Sequence, residues 1–139
     1  MMQKKKSGYP QTDPVTFHLS LLKEYQSMQK EIKDLQKRIS ETERRLKQLN
    51  PDNAGDITGI LRERYNILNK EMEHLEKLTN SVLSYIETLP TSELRTLFRL
   101  YYLDNLTWIQ VSFRMNTYFP NKIYSEDSCR MKHNRFLKK

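Results

Sequence analysis

The sequence predicts an all-α protein: an N-terminal antiparallel coiled-coil helical hairpin followed by a C-terminal helix-turn-helix domain. Three observations carry this. Two apolar seams of equal length repeat in heptads, a Pro- and Gly-bearing break divides them, and residues 90–139 change to shorter helical periods punctuated by caps and turns. Composition agrees, because a chain of 139 residues with only 3 Gly and 29% charged side chains at a mean hydropathy of −0.82 favours helices over sheet.

Residues 1–14 carry Lys4, Lys5 and Lys6 with Gly8, Pro10 and Pro14, which reads as a flexible basic tail. No apolar stretch follows the lysines, so a secretory signal is not expected. No run of about 18 apolar residues occurs, so neither is a membrane span.

The hairpin is assigned to residues 15–89. Its first seam runs Leu21, Tyr25, Met28, Ile32, Leu35, Ile39, Thr42, Leu46 and Leu49, and its second Leu61, Tyr65, Leu68, Met72, Leu75, Thr79, Val82, Ile86 and Leu89. Both alternate steps of four and three without a slip. Between them Asn50 to Asp56 should break the helix, since Pro51 lacks a donor and Asn53 and Gly55 accept turn dihedrals. Equal lengths about a short break imply an antiparallel pair. Pairing Leu46 with Leu61, Ile39 with Leu68, Ile32 with Leu75 and Tyr25 with Val82 sets a register in which Arg38 meets Glu71, Glu43 meets Arg62, Leu22 meets Leu83, and Arg45 conflicts with Arg64. A parallel homodimer is the rival arrangement, because Ile32, Leu35 and Ile39 suit two parallel strands. Leu78, Leu83 and Tyr85 lie beside the second seam and need a partner, either the C-terminal domain or a second protomer. They are the candidate oligomerisation residues.

In residues 90–139, Leu94, Leu97, Phe98 and Tyr101 make one helical face that should end at Asp104-Asn105. Thr107 and Gln110 have capping-box spacing, and Trp108, Ile109, Val111 and Phe113 are the expected apolar contacts of the helix they open. Periodicity lapses from Asn116 to Tyr124, where Asn116, Pro120 and Asn121 favour turns. Ser125 can cap a last helix with Glu126 and Asp127 in its first turn, where the macrodipole favours anions. Burying Cys129, His133 and Phe136 at about 100° per residue aims Met131, Asn134, Arg135 and Lys138 at solvent, with Arg130, Lys132 and Lys139 on the flanks. Asn134 and Arg135 have the chemistry to pair with adenine and guanine edges in the major groove. Arg130, Lys132 and Lys138 suit phosphates.

The charge sits in the same place. The net charge is +7, of which residues 91–139 supply +5 from 9 basic and 4 acidic side chains, while residues 15–90 balance at 12 of each. From Ser128 to the end there are five basic residues and no acidic one, the sign a phosphate backbone requires.

Leu89-Pro90, Tyr101-Tyr102, Leu106-Thr107-Trp108 and Tyr124 to Arg130 with His133, Arg135 and Leu137 resemble the sigma-factor region-four helix-turn-helix. More narrowly, the stretch is similar to phage and prophage proteins of Gram-positive bacteria that carry such a domain, including late-gene regulators of the RinA and ArpU type. The likeness covers about the last fifty residues. It implies a sequence-specific, double-stranded-DNA-binding transcription regulator, phage- or prophage-encoded, acting as a homodimer in a bacterial host cytoplasm, with host RNA polymerase a candidate partner. A coiled-coil interaction protein that binds a host or phage protein without reading DNA is the alternative.

Other chemistry is thin. Cys129 and His133 share a helix face, yet a metal site needs three or four ligands and His18 and His74 have no ligand-spaced neighbours. The single Cys excludes an internal disulfide framework and fits a reducing compartment. No nucleophile or paired-carboxylate arrangement is visible, so neither enzymatic activity nor a cofactor is expected. Trp108, beside Ile109 and Val111, reads as core before it reads as a base-stacking platform.

Overall fold

The computed structural model describes residues 14–49 and 51–138, with side chains from Phe17 to Leu49 and from Gly55 to Lys138. Residues 1–13 of the tail assigned to 1–14, Asn50 of the break, and Lys139 lie outside the described residues, while Pro14 is the first residue of the first helix. Five α-helices succeed one another: α1 Pro14–Gln48, α2 Pro51–Glu87, α3 Ser92–Phe98, α4 Trp108–Tyr118 and α5 Glu126–Leu137, with a π-helical turn over Arg99–Leu103 between α3 and α4.

The first two helices pack along each other as the heptads require. Leu21, Met28, Ile32, Leu35, Ile39, Leu61, Val82, Ile86 and Leu89 are buried. The two seam threonines are buried as well, and each hydroxyl finds a backbone carbonyl on its own helix: Thr42 bonds Arg38 O at 2.8 Å and Thr79 bonds Glu76 O at 2.9 Å. A buried hydroxyl costs little when so satisfied. The helices run antiparallel, since Tyr65 of α2 donates to Glu43 of α1 at 3.4 Å while His18 and Tyr85, at the far end, stack with ring centroids 4.2 Å apart.

Three details of the hairpin differ from the sequence reading. The break is not seven residues long, because α2 already begins at Pro51; at a first helical position the missing N–H would have had no partner and the fixed φ is preset for a helix. Gly55 carries the interruption instead, at φ 27° and ψ −122°, a backbone state that L side chains rarely adopt. Secondly, Arg38 bonds Asp34 on its own helix at 2.7 Å and Glu43 receives the Tyr65 hydroxyl, so neither joins the predicted pair with Glu71 or Arg62. For Arg38, a carboxylate four residues away on the same helix face is within direct reach, and for Glu43 the cross-hairpin partner is Tyr65 in place of Arg62. Thirdly, Leu22 is buried whereas Leu83 is 41% exposed.

The open end of the hairpin is the floor of the C-terminal unit. Leu21, Leu22 and Met28 of α1, Val82 and Ile86 of α2 and Leu89 just beyond it form one core with Leu94, Leu97, Phe98, Leu100, Tyr102, Val111, Met115, Tyr124 and Cys129. Arg95 donates to Leu89 O at 2.7 Å, and Arg99 pairs with Glu87 at 2.6 Å, so the end of α2 and the turn that follows it are tied to α3 and the π-turn.

The π-turn re-phases the α3 face. Pure α periodicity would bury Tyr101, but Leu100 and Tyr102 are buried and Tyr101 is half-buried. A π-turn inserts an extra residue per hydrogen bond and rotates the chain beyond it about the helix axis. The carbonyls of Tyr102 and Leu103 are taken by the Gln26 side chain of α1 at 2.8 and 2.9 Å. Asn105 then turns the chain at φ 57°, a left-handed state that Asn tolerates.

Candidate nucleic-acid interface

The site is built on α4, α5 and the connection between them. Thr107 opens α4 with the expected capping box: its hydroxyl accepts from Gln110 N at 3.3 Å, and Gln110 Oε1 accepts from Thr107 N at 2.9 Å. Ser125 opens α5 by the same device with Ser128 in the reciprocal role, at 3.0 and 2.8 Å. Both helix starts are therefore set by side chains rather than by packing alone.

α4 runs through Asn116 to Tyr118, further than turn propensity suggests. The reason is that Asn116 staples the connection from inside the helix, donating to Tyr124 O at 2.9 Å and accepting from Tyr124 N at 2.6 Å. The Tyr124 hydroxyl bonds Glu93 of α3, and Lys122 pairs with the same carboxylate at 2.8 Å. Ile109 and Phe113 do not join the core: they are 53% and 67% exposed, while Val111, Ser112 and Met115 are buried. Trp108 is half-buried and stacks on Tyr101 with centroids 3.9 Å apart, a packing role.

On α5 the inward face is as expected. Cys129 and His133 are buried, and Phe136 packs edge-on to Phe98 at 5.8 Å between centroids. Burial pushes the Cys129 thiol above its ordinary pKa, which removes thiolate character. Burial likewise holds the His133 imidazole below its ordinary value. Its Nε2 lies 2.6 Å from the Tyr102 hydroxyl and its Nδ1 2.9 Å from Asn134 Oδ1. Among the described residues no group of three His, Cys, Asp or Glu is placed to hold a metal ion.

The outward face carries Met131, Asn134, Arg135 and Lys138, all exposed, with Arg130 and Lys132 half-exposed beside them. They differ in availability. Arg130 is held by Asp127 at 3.0 Å and Glu126 at 3.4 Å, so the two carboxylates at the helix start share its one guanidinium. Asn134 has one oxygen committed to His133 and stands at the rim of a groove of ≈ 800 Å³, which Lys23, Gln26, Tyr101 and Trp108 also line. Lys132, Arg135 and Lys138 form no ion pair among the described residues.

The three candidate oligomerisation residues do not form one stripe. Tyr85 is half-buried beneath His18, and Leu78 is half-buried against the shared core. At about 100° per residue Leu83 lies on the opposite flank of the seam. The flank of Leu78 and Tyr85 continues toward the hairpin tip through Ile67, Ile60 and Ile57, which are 50%, 57% and 51% exposed. The sequence carried this signal in its spacing, but the stronger inner seam obscured it. Among the described residues no helix is long and apolar enough to cross a membrane.

No protein-family model, no curated protein and no solved structure matches this chain.

Proposed function

We propose that this chain is a sequence-specific double-stranded-DNA-binding transcription regulator, phage- or prophage-encoded as the sigma-like resemblance implies, which presents α5 to the major groove. One observation carries the reading. The sequence from Ser128 onward holds five basic and no acidic residues, and the helix in it, α5, buries Cys129 and His133 and leaves Asn134, Arg135 and the capping Lys138 exposed, held in place by two capping boxes and the Asn116 clasp. Rigid placement of a few polar side chains on a cationic helix is what base-edge recognition requires. Arg135 is the principal base-reading residue, and Lys132 and Lys138 are phosphate ligands. Lys139 extends that basic end in sequence. A homodimer would set two such helices on neighbouring half-sites.

Selecting bound sequences from a random duplex pool tests this. A recovered motif whose information is lost with Arg135→Ala supports it, and no enrichment over the starting pool refutes it. The second reading, an interaction protein that docks another protein without reading DNA, is favoured by the exposed Ile57, Ile60 and Ile67 on α2 and by Ile109 and Phe113 on α4. It takes over if no motif is recovered.

A further inference from the structure

We infer that Tyr102 and His133 form a hydrogen-bond relay that fixes Asn134 of the outward α5 face as a hydrogen-bond donor, and so help determine which base edges that face accepts. The inference rests on the DNA-binding reading above.

The relay emerges from counting protons. Tyr102 is buried, and the only side-chain partner of its hydroxyl among the described residues is His133 Nε2, at 2.6 Å. A buried O–H without an acceptor carries an uncompensated desolvation penalty, so the phenol donates and Nε2 is the bare nitrogen. The imidazole is buried among Phe98, Tyr101 and Trp108, whose ring centroids lie 5.1–5.6 Å away, and removal from water favours the neutral form. The neutral ring then carries its single proton on Nδ1. That proton meets Asn134 at 2.9 Å, which requires the amide oxygen, not the amide nitrogen, to face the ring. The opposite assignment would have Nε2–H donate to the phenol oxygen and Nδ1 accept from the amide nitrogen. It leaves the buried phenolic proton with no acceptor.

Asn134 Nδ2 is therefore turned away from the ring, and the amide meets a ligand as a donor. Donors fit guanine O6 and N7, adenine N7 and thymine O4, and oppose the N4 amino group of cytosine. Two-bond pairing with adenine needs the amide oxygen to accept from the base as well, and here one of its two lone pairs is held at the His133 ring, so that pairing is disfavoured relative to donation from Nδ2. Tyr102 and His133 are positioning residues: they touch no base and act through Asn134.

Nitrogen-15 NMR of the His133 ring in the full chain reads the tautomer directly and does not depend on any variant folding. The relay requires Nδ1–H with Nε2 bare; Nε2–H in the wild type overturns it. Selection from a duplex pool reads the consequence. Wild type should disfavour cytosine at one base by roughly tenfold, Tyr102→Phe should bring that preference to within about twofold while keeping the rest of the motif, and in an Asn134→Ala background Tyr102→Phe should change nothing further. A wild type that selects a motif which Tyr102→Phe leaves unchanged overturns the base-reading role. A wild type that selects no motif removes the DNA-binding reading and that role together, and the ring tautomer still decides whether the relay exists.

Discussion

Single side chains decide most of the geometry at the C-terminal end. Thr107 and Ser125 each satisfy an amide that the first turn of their helix leaves unpaired. Thr107→Ala and Ser125→Ala should each lower stability by about 0.5–2 kcal/mol, read from the urea midpoint at unchanged slope. His133 gives the protein an acid sensitivity whose sign can be stated. Burial holds its pKa below the ordinary 6.5, so between the two values the unfolded chain binds the extra proton. The stabilising contribution is thus complete above about pH 6.5 and is lost as pH falls toward the folded-state pKa. Urea midpoints between pH 8 and pH 5 should fall on the acid side, and His133→Gln should flatten that part of the profile. An equal slope in the variant would assign the effect to other groups. Arg130, gripped by Glu126 and Asp127, is the least available of the α5 cations. Glu126→Gln with Asp127→Asn should release it and tighten binding to every duplex, without changing the preferred sequence.

Elements were legible in the sequence where a long repeat or a two-residue capping pattern specifies them. The heptads place the seams of α1 and α2, and the Thr107–Gln110 spacing places the start of α4. What the sequence does not show depends on partners far along the chain. The π-turn at Arg99–Leu103 is bonded at its end by Gln26, 76 and 77 residues away, and no local pattern announces it. Ile109 and Phe113 look like core residues by hydropathy and are exposed, because the inward face of α4 is set by Val111 and Met115, which join the shared core. Of the α5 site, the burial of Cys129 and His133 and the exposure of Asn134, Arg135 and Lys138 could be read from helical period alone. The partner Tyr102, 31 residues from His133, could not, whereas the spacing of Glu126 and Asp127 to Arg130 is a local pattern that the sequence does carry. For the hairpin, disulfide trapping is decisive: Ile39→Cys with Leu68→Cys should crosslink within one chain. Crosslinks between position 39 of one chain and position 39 of another, and none within a chain, would mean that the helices pair in a parallel dimer.

The whole molecule is a long two-helix stalk whose open end is continuous with the core of the C-terminal unit, so the position of α5 is coupled to the stalk by buried contacts and not by a free linker. Dimerisation through the stalk would then fix the spacing of two α5 helices. Light scattering at micromolar concentration should return about twice the 16.8 kDa chain mass. Ile60→Glu should dissociate the pair more than Leu83→Glu, since Leu83 leaves on the other flank. A value of one chain mass would remove the dimer.

The central claim, that α5 meets DNA through its outer face, is tested most directly by titrating a fluorescent duplex carrying the selected site at several salt concentrations with wild type, Arg135→Ala and Lys138→Ala. Affinity should fall steeply with salt for wild type. Arg135→Ala should cost about 1–3 kcal/mol on the selected site and little on random duplex, while Lys138→Ala should weaken both and reduce the salt slope by about one. Unchanged affinity in both variants would contradict the account and move this helix from DNA recognition to protein packing.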